Sequence, residues 1–129
     1  MNDDIKRVFT NAPWEKKVGY CRAIKRGSLI YVSGTVAVDP EGNIVFSNDP
    51  YGQTKRCFEI IQESLIKLEC SLDKVVRTRM YVTNIDDWKE CGKAHQEFFG
   101  DFPPATTMIE VSRLINPEVL IEIEVDAQI

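Results

Sequence analysis

The sequence contains one histidine, His95, and its four cysteines, Cys21, Cys57, Cys70 and Cys91, form no C-x-x-C pair. Zinc sites are built from closely spaced Cys and His pairs, so that spacing is missing and neither a metal nor another cofactor is expected. No apolar run approaches the roughly 20 residues that a membrane-spanning helix needs, which argues against a membrane partner. The opening Met1-Asn2-Asp3-Asp4-Ile5-Lys6 has neither the basic start nor the apolar segment of a secretory leader. A cytoplasmic location is the expectation, and with it reduced cysteines that serve packing, because bridges are rare in reducing compartments. Positive charge is also short: 16 Lys and Arg against 20 Asp and Glu leave a net charge of −4. Such a chain repels a phosphate backbone, so nucleic acid is not an expected partner.

Linkers, repeats and low-complexity segments are absent as well, and one domain over residues 1–129 is expected. That length buries a core without help from metals or disulfides. "IKRVFT" (5–10) reads as a short strand, stopped by the proline of "APW" (12–14). "GYCRAIKRG" (19–27) and "SLIYVSGTVAV" (28–38) read as a hairpin turning at Gly27-Ser28, and "DPEGN" (39–43) has turn chemistry. Asp49-Pro50 matches an N-cap followed by proline at the first helical position, and Cys57, Phe58, Ile61, Leu65 and Leu68 then recur at helical spacing. A strand over 75–83 follows. Asp86 or Asp87 caps a second helix with Trp88, Cys91, Ala94, His95 and Phe98 on one stripe, ending near Gly100. Two strands, 105–112 and 119–126, joined through "NPE", complete the chain.

In the last strand Val119, Ile121, Ile123 and Val125 alternate with Leu120, Glu122, Glu124 and Asp126, so one face is apolar and the other mainly acidic. In strand 75–83, Val76, Thr78, Met80 and Val82 oppose Val75, Arg77, Arg79 and Tyr81. A sheet with both helices on one face thus shows rows of arginines and carboxylates on the other, with Thr106, Met108 and Glu110 expected alongside them. By periodicity that face is either solvated or a contact between subunits.

The phrases "YVSGTVAVDPEGNIV", "SLDKVVRTRMYVTNIDDW", "EFFGDFPPATTMIEVSRL" and "VLIEIEVDAQI", in this order and at these intervals, resemble the reactive intermediate deaminase A (RidA, YjgF, endoribonuclease L-PSP-like) family over nearly the whole chain. The resemblance implies an α+β, chorismate-mutase-like fold, with a mixed six-stranded sheet and two helices packed on one face. It also implies a homotrimeric barrel with small-molecule clefts between subunits. Active members hydrolyse reactive enamines and imines to 2-keto acids and ammonia without a cofactor. Their hallmark arginine follows Pro-Ala in the motif P-A-R-S and clamps the substrate carboxylate bidentately. Here that position is Thr106, in Pro104-Ala105-Thr106-Thr107. A hydroxyl offers one neutral donor where a guanidinium offers five in a charged fork. The chain therefore looks like an arginine-lacking branch.

Other family positions carry over unevenly. Tyr20 matches a pocket tyrosine able to hold ligand or water, or is an aromatic packing at an interface. Ser33 and Gly34 match the cleft floor, where a glycine lets backbone approach a ligand, or simply end a strand. Glu122 matches the carboxylate that orients attacking water, or is a salt-bridging residue. Met108 replaces a cysteine whose backbone serves the site, and Gly92 stands where many relatives have asparagine. Arg22 and Arg79 are the cations available to replace the clamp, unless they pair with Glu122, Glu124 or Asp126. His95 has the one side chain with a pKa near neutral, but its apolar stripe points to a packed histidine. Three functions are weighed: a divergent ligand-binding trimer; an enamine or imine deaminase using Arg22 or Arg79; and a ribonuclease or translation inhibitor, which acidity and the want of a second histidine oppose.

Overall fold

The computed structural model describes residues 4–129; Met1, Asn2 and Asp3, part of the opening segment read above, lie outside the described residues. The first strand, β1, is Ile5–Val8. Pro13 does not merely stop it: with φ already fixed, it opens a short helix, α1 (Pro13–Val18), that the sequence reading had taken for a break. Gly19 closes α1 in the left-handed region at φ 91°. The hairpin is β2 (Ala23–Arg26) and β3 (Leu29–Thr35), turned at Gly27-Ser28 with Arg26 opposite Leu29.

Asp49 caps α2 (Pro50–Lys67), its side chain accepting from the Gly52 amide. Strand β4 (Val75–Val82) leads to α3 (Trp88–Phe99). The expected side-chain cap of α3 by Asp86 or Asp87 is not made. Residues Ile85–Asp87 coil as a 3-10 turn that runs straight into α3, so the capping bond moves to its start, where Asn84 accepts from the Asp86 amide. Strands β5 (Ala105–Glu110) and β6 (Ile121–Gln128) complete the chain.

The sheet runs β1-β2-β3-β6-β4-β5. Neighbours are antiparallel except β4 and β5, which are parallel because α3 carries the chain back between them. Phe58, Ile61 and Leu65 of α2 and Phe99 of α3 join Ile30, Met80, Val82, Ile121, Ile123 and Val125 of the sheet in one core. This is the mixed six-stranded α+β architecture expected, with both long helices on one side. Among the described residues no helix is long and apolar enough to cross a membrane.

Two placements differ from the alternation read in the sequence. The β4–β6 register shifts between Val75 and Arg77, so Val75 is the buried residue and Val76 is 49% exposed. Across the parallel pair, Thr78 faces Thr106, Met80 faces Met108 and Val82 faces Glu110. Directly paired residues share a sheet face, so Thr106, Met108 and Glu110 stand on the helix side, not among the arginines and carboxylates. The sequence of β5 carries no strong apolar alternation to reveal this phase; it is fixed by the pairing with β4.

Candidate functional site

Between Val32 and Thr35 the β3–β6 register shifts, which breaks the ladder at Ser33 and Gly34. The side chains around this irregularity form the first cluster. Arg22 Nη2 donates to the Gly34 carbonyl at 2.7 Å, and Ser33 Oγ donates to the Cys21 carbonyl at 2.7 Å. The Arg22 guanidinium lies 5.8 Å from the Tyr20 ring centroid. A Cβ at Gly34 would collide with the Glu122 carboxylate. The glycine thus leaves room for the Glu122 side chain. Burial pushes the Glu122 carboxyl above its ordinary range, and nearby Arg22 pulls it partly back.

The folded state therefore favours protonated Glu122. Its contribution to stability is fullest below the ordinary carboxylate value and is lost as pH climbs from about 4 through the raised value. Glu122→Gln is expected to flatten that limb of a Tm-against-pH curve; superimposable curves for the two proteins would show that burial does not govern this carboxyl.

Arg79, the second proposed cation, is engaged elsewhere. It meets Asp126 at 3.1 Å and Glu124 at 3.7 Å, and Tyr81 donates to Glu124 at 2.8 Å. These side chains share the helix-free face, where Tyr81 pairs with Glu122 and Arg79 with Glu124 in register.

The second cluster occupies the other face, at the edge of the sheet. A cleft of about 450 Å3 opens between α3 and β5, lined among others by Trp88, Gly92, His95, Thr106 and Met108. His95 packs as its stripe suggested, its ring 4.8 Å from Phe99 and 5.5 Å from Phe58. Burial pushes its pKa down. Its Nε2 lies 2.9 Å from Thr78 Oγ1, which in turn hydrogen-bonds Thr106 Oγ1. Sequence reasoning missed the Thr78 link; the available signal was a threonine in the buried row Thr78, Met80, Val82. Trp88 belongs to the apolar stripe in sequence but is 54% exposed at the cleft. Among the described residues no group of three His, Cys, Asp or Glu is placed to hold a metal ion.

Residues 9–129 match the family described as Endoribonuclease L-PSP. The chain belongs to the RidA/YjgF/L-PSP family. A RutC family protein of Pyrococcus abyssi is 37% identical over 120 residues, covering 92% of this chain and 94% of that one. The crystal structure of a Mycobacterium tuberculosis YjgF-family protein, Rv2704, superposes with a TM-score of 0.88 at 38% identity, covering 97% of this chain and 99% of that one. A Rid-family protein of unknown function from Yersinia pestis superposes at 0.86, with 27% identity and coverage of 97% and 99%.

Within this RidA-family chain the candidate residues fall into two groups on opposite faces. Tyr20, Arg22, Ser33, Gly34 and Glu122 gather around the β3 irregularity. Thr106 and Met108 belong with His95 and Gly92 at the β5 edge. Arg79 stands with its carboxylates on the Glu122 face, away from Thr106.

Proposed function

We propose that this chain forms the homotrimer implied by its family resemblance, with small-molecule clefts between subunits, and that it belongs to an arginine-lacking branch. The carrying observation is the division of candidate residues between two faces of one sheet. A single copy does not join them, whereas the β5 edge of one copy against the Glu122 cluster of the next would. In that cleft Tyr20 and Glu122 hold and orient water, Ser33 and Gly34 form the floor, and Thr106 and Met108 supply the opposing wall. With Thr106 in the clamp position the favoured ligand is one that makes no strong carboxylate demand. The alternative, a 2-imino acid deaminase using Arg22 or Arg79, is less well supported, since the first is held by the Gly34 carbonyl and the second by Asp126 and Glu124.

Light scattering is expected to return three times the 14.7 kDa mass of one chain. A monomeric mass at micromolar concentration, insensitive to salt, would remove the basis for a cleft between subunits.

A further inference from the structure

We infer that Thr106, Thr78 and His95 act as one hydrogen-bonded unit that makes the cleft between α3 and β5 selective for an uncharged carbonyl-class group, such as an amide or a ketone, carried on an apolar ring-sized body. This deepens the proposed ligand cleft and rests on it, because it names the ligand class for the half-site that one chain contains.

The cleft has the volume of a small-molecule site, about 450 Å3, and its lining includes the apolar Met80, Ile85, Trp88, Phe99, Pro103 and Met108. Among the described residues its lining includes no Lys, Arg, Asp or Glu. A carboxylate seated there would meet no cation from the same chain, whereas a neutral carbonyl needs only one donor. Thr106 can be that donor. Its hydroxyl makes a 3.2 Å contact with the Thr78 carbonyl, longer than the usual O–H···O bond, and a ligand oxygen can replace that acceptor.

The hydroxyl-to-imidazole chain couples the direction of the Thr106 hydrogen to the tautomer of His95. Hydroxyls both donate and accept, and a neutral imidazole carries its proton on either nitrogen. With the proton on Nε2, donation runs from His95 to Thr78 to Thr106, leaving the Thr106 hydrogen for the ligand. Burial between Phe58 and Phe99 disfavours the charged imidazolium, which keeps this unit neutral. His95 is thereby a positioning residue: it acts on the ligand through two hydroxyls, without touching it.

A matched pair of probes separates charge from shape. Benzamide and benzoate are titrated into the full chain, with binding read by NMR and the state of His95 read from its imidazole nitrogen shifts, which are unambiguous because it is the single histidine. Benzamide is expected to bind at least about ten-fold more tightly than benzoate, a difference of about 1.4 kcal/mol. It is also expected to move the His95 nitrogen shifts. Thr106→Val, a change on an exposed strand residue, should abolish the preference. Thr78→Val should weaken the preference for benzamide and uncouple the remaining binding from the His95 signals. Equal or tighter binding of benzoate overturns the inference, as does benzamide binding that leaves His95 unmoved, or no saturable benzamide binding up to about 10 mM. Failure of the trimer reading would show instead in the light-scattering mass, which none of these titrations measures.

Discussion

Thr106→Arg is expected to raise turnover of 2-iminopropionate and 2-aminoacrylate by at least an order of magnitude. The native protein should release ammonia from these imino acids slowly or not at all, since its hydroxyl cannot form the charged, two-pronged contact a carboxylate needs. Restoring that contact is worth roughly 1.5 to 3 kcal/mol, or about 10 to 150-fold in rate if the contact is made in the transition state. The site should tolerate the larger side chain: Thr106 is exposed at the edge of the sheet, and its neighbours Thr78 and His95 carry no competing charge. The same change should reverse the preference for benzamide over benzoate. If the native protein already matches an active family member on imino acids, the arginine-lacking reading fails and another cation serves the clamp. If the grafted arginine restores carboxylate binding without turnover, the water-orienting roles given to Tyr20 and Glu122 are wrong.

How much of this was legible before the structure depends on what each residue's local neighbours encode. The caps and turns at Asp49, Pro50, Gly27 and Gly42 were readable because they are set by side chains and φ values within a few residues. The faces of β6 were readable because Glu122, Glu124 and Asp126 alternate strictly with apolar residues. The phase of β5 was not, because "ATTMIE" carries no charge pattern that distinguishes its faces, and only pairing with β4 fixes it. The exchange of Val75 for Val76 at the start of β4 follows from a bulge, which depends on the partner strand and leaves no mark on the local alternation. The candidate residues themselves were named from motifs. That Gly34 leaves room for Glu122, and that Thr106 leads through Thr78 to His95, are contacts across 88 and 28 positions or fewer of chain, which no local spacing displays.

A second large effect is expected at Gln53, a residue the sequence reading passed over. It lies in the first turns of α2, has 0% exposure, and is one of the few buried polar side chains. Its Nε2 donates to the Glu118 carbonyl at 3.0 Å and its Oε1 accepts from the Leu120 amide at 2.8 Å. The side-chain amide thus stands in for a neighbouring strand, satisfying the backbone just before β6 begins. Gln53→Leu puts an apolar side chain of similar size in its place but leaves both backbone groups without the side-chain amide. Leaving a buried donor or acceptor unpaired costs about 1–3 kcal/mol, and because Leu120 is half-buried while Glu118 is exposed to water, a loss of roughly 1 to 3 kcal/mol is expected from urea unfolding. That is a large share of the stability of an ordinary domain. Because Glu122 follows Leu120 by two residues, faster hydrogen exchange at the Leu120 amide should accompany the loss, together with a weaker hold on the Glu122 carboxylate over Gly34. Gln53→Glu separates the two bonds: it keeps an acceptor for Leu120 but removes the donor to Glu118 and buries a charge. A Gln53→Leu protein that unfolds within about 0.5 kcal/mol of the native one would show that water replaces the amide and that the entry to β6 is held by the sheet alone.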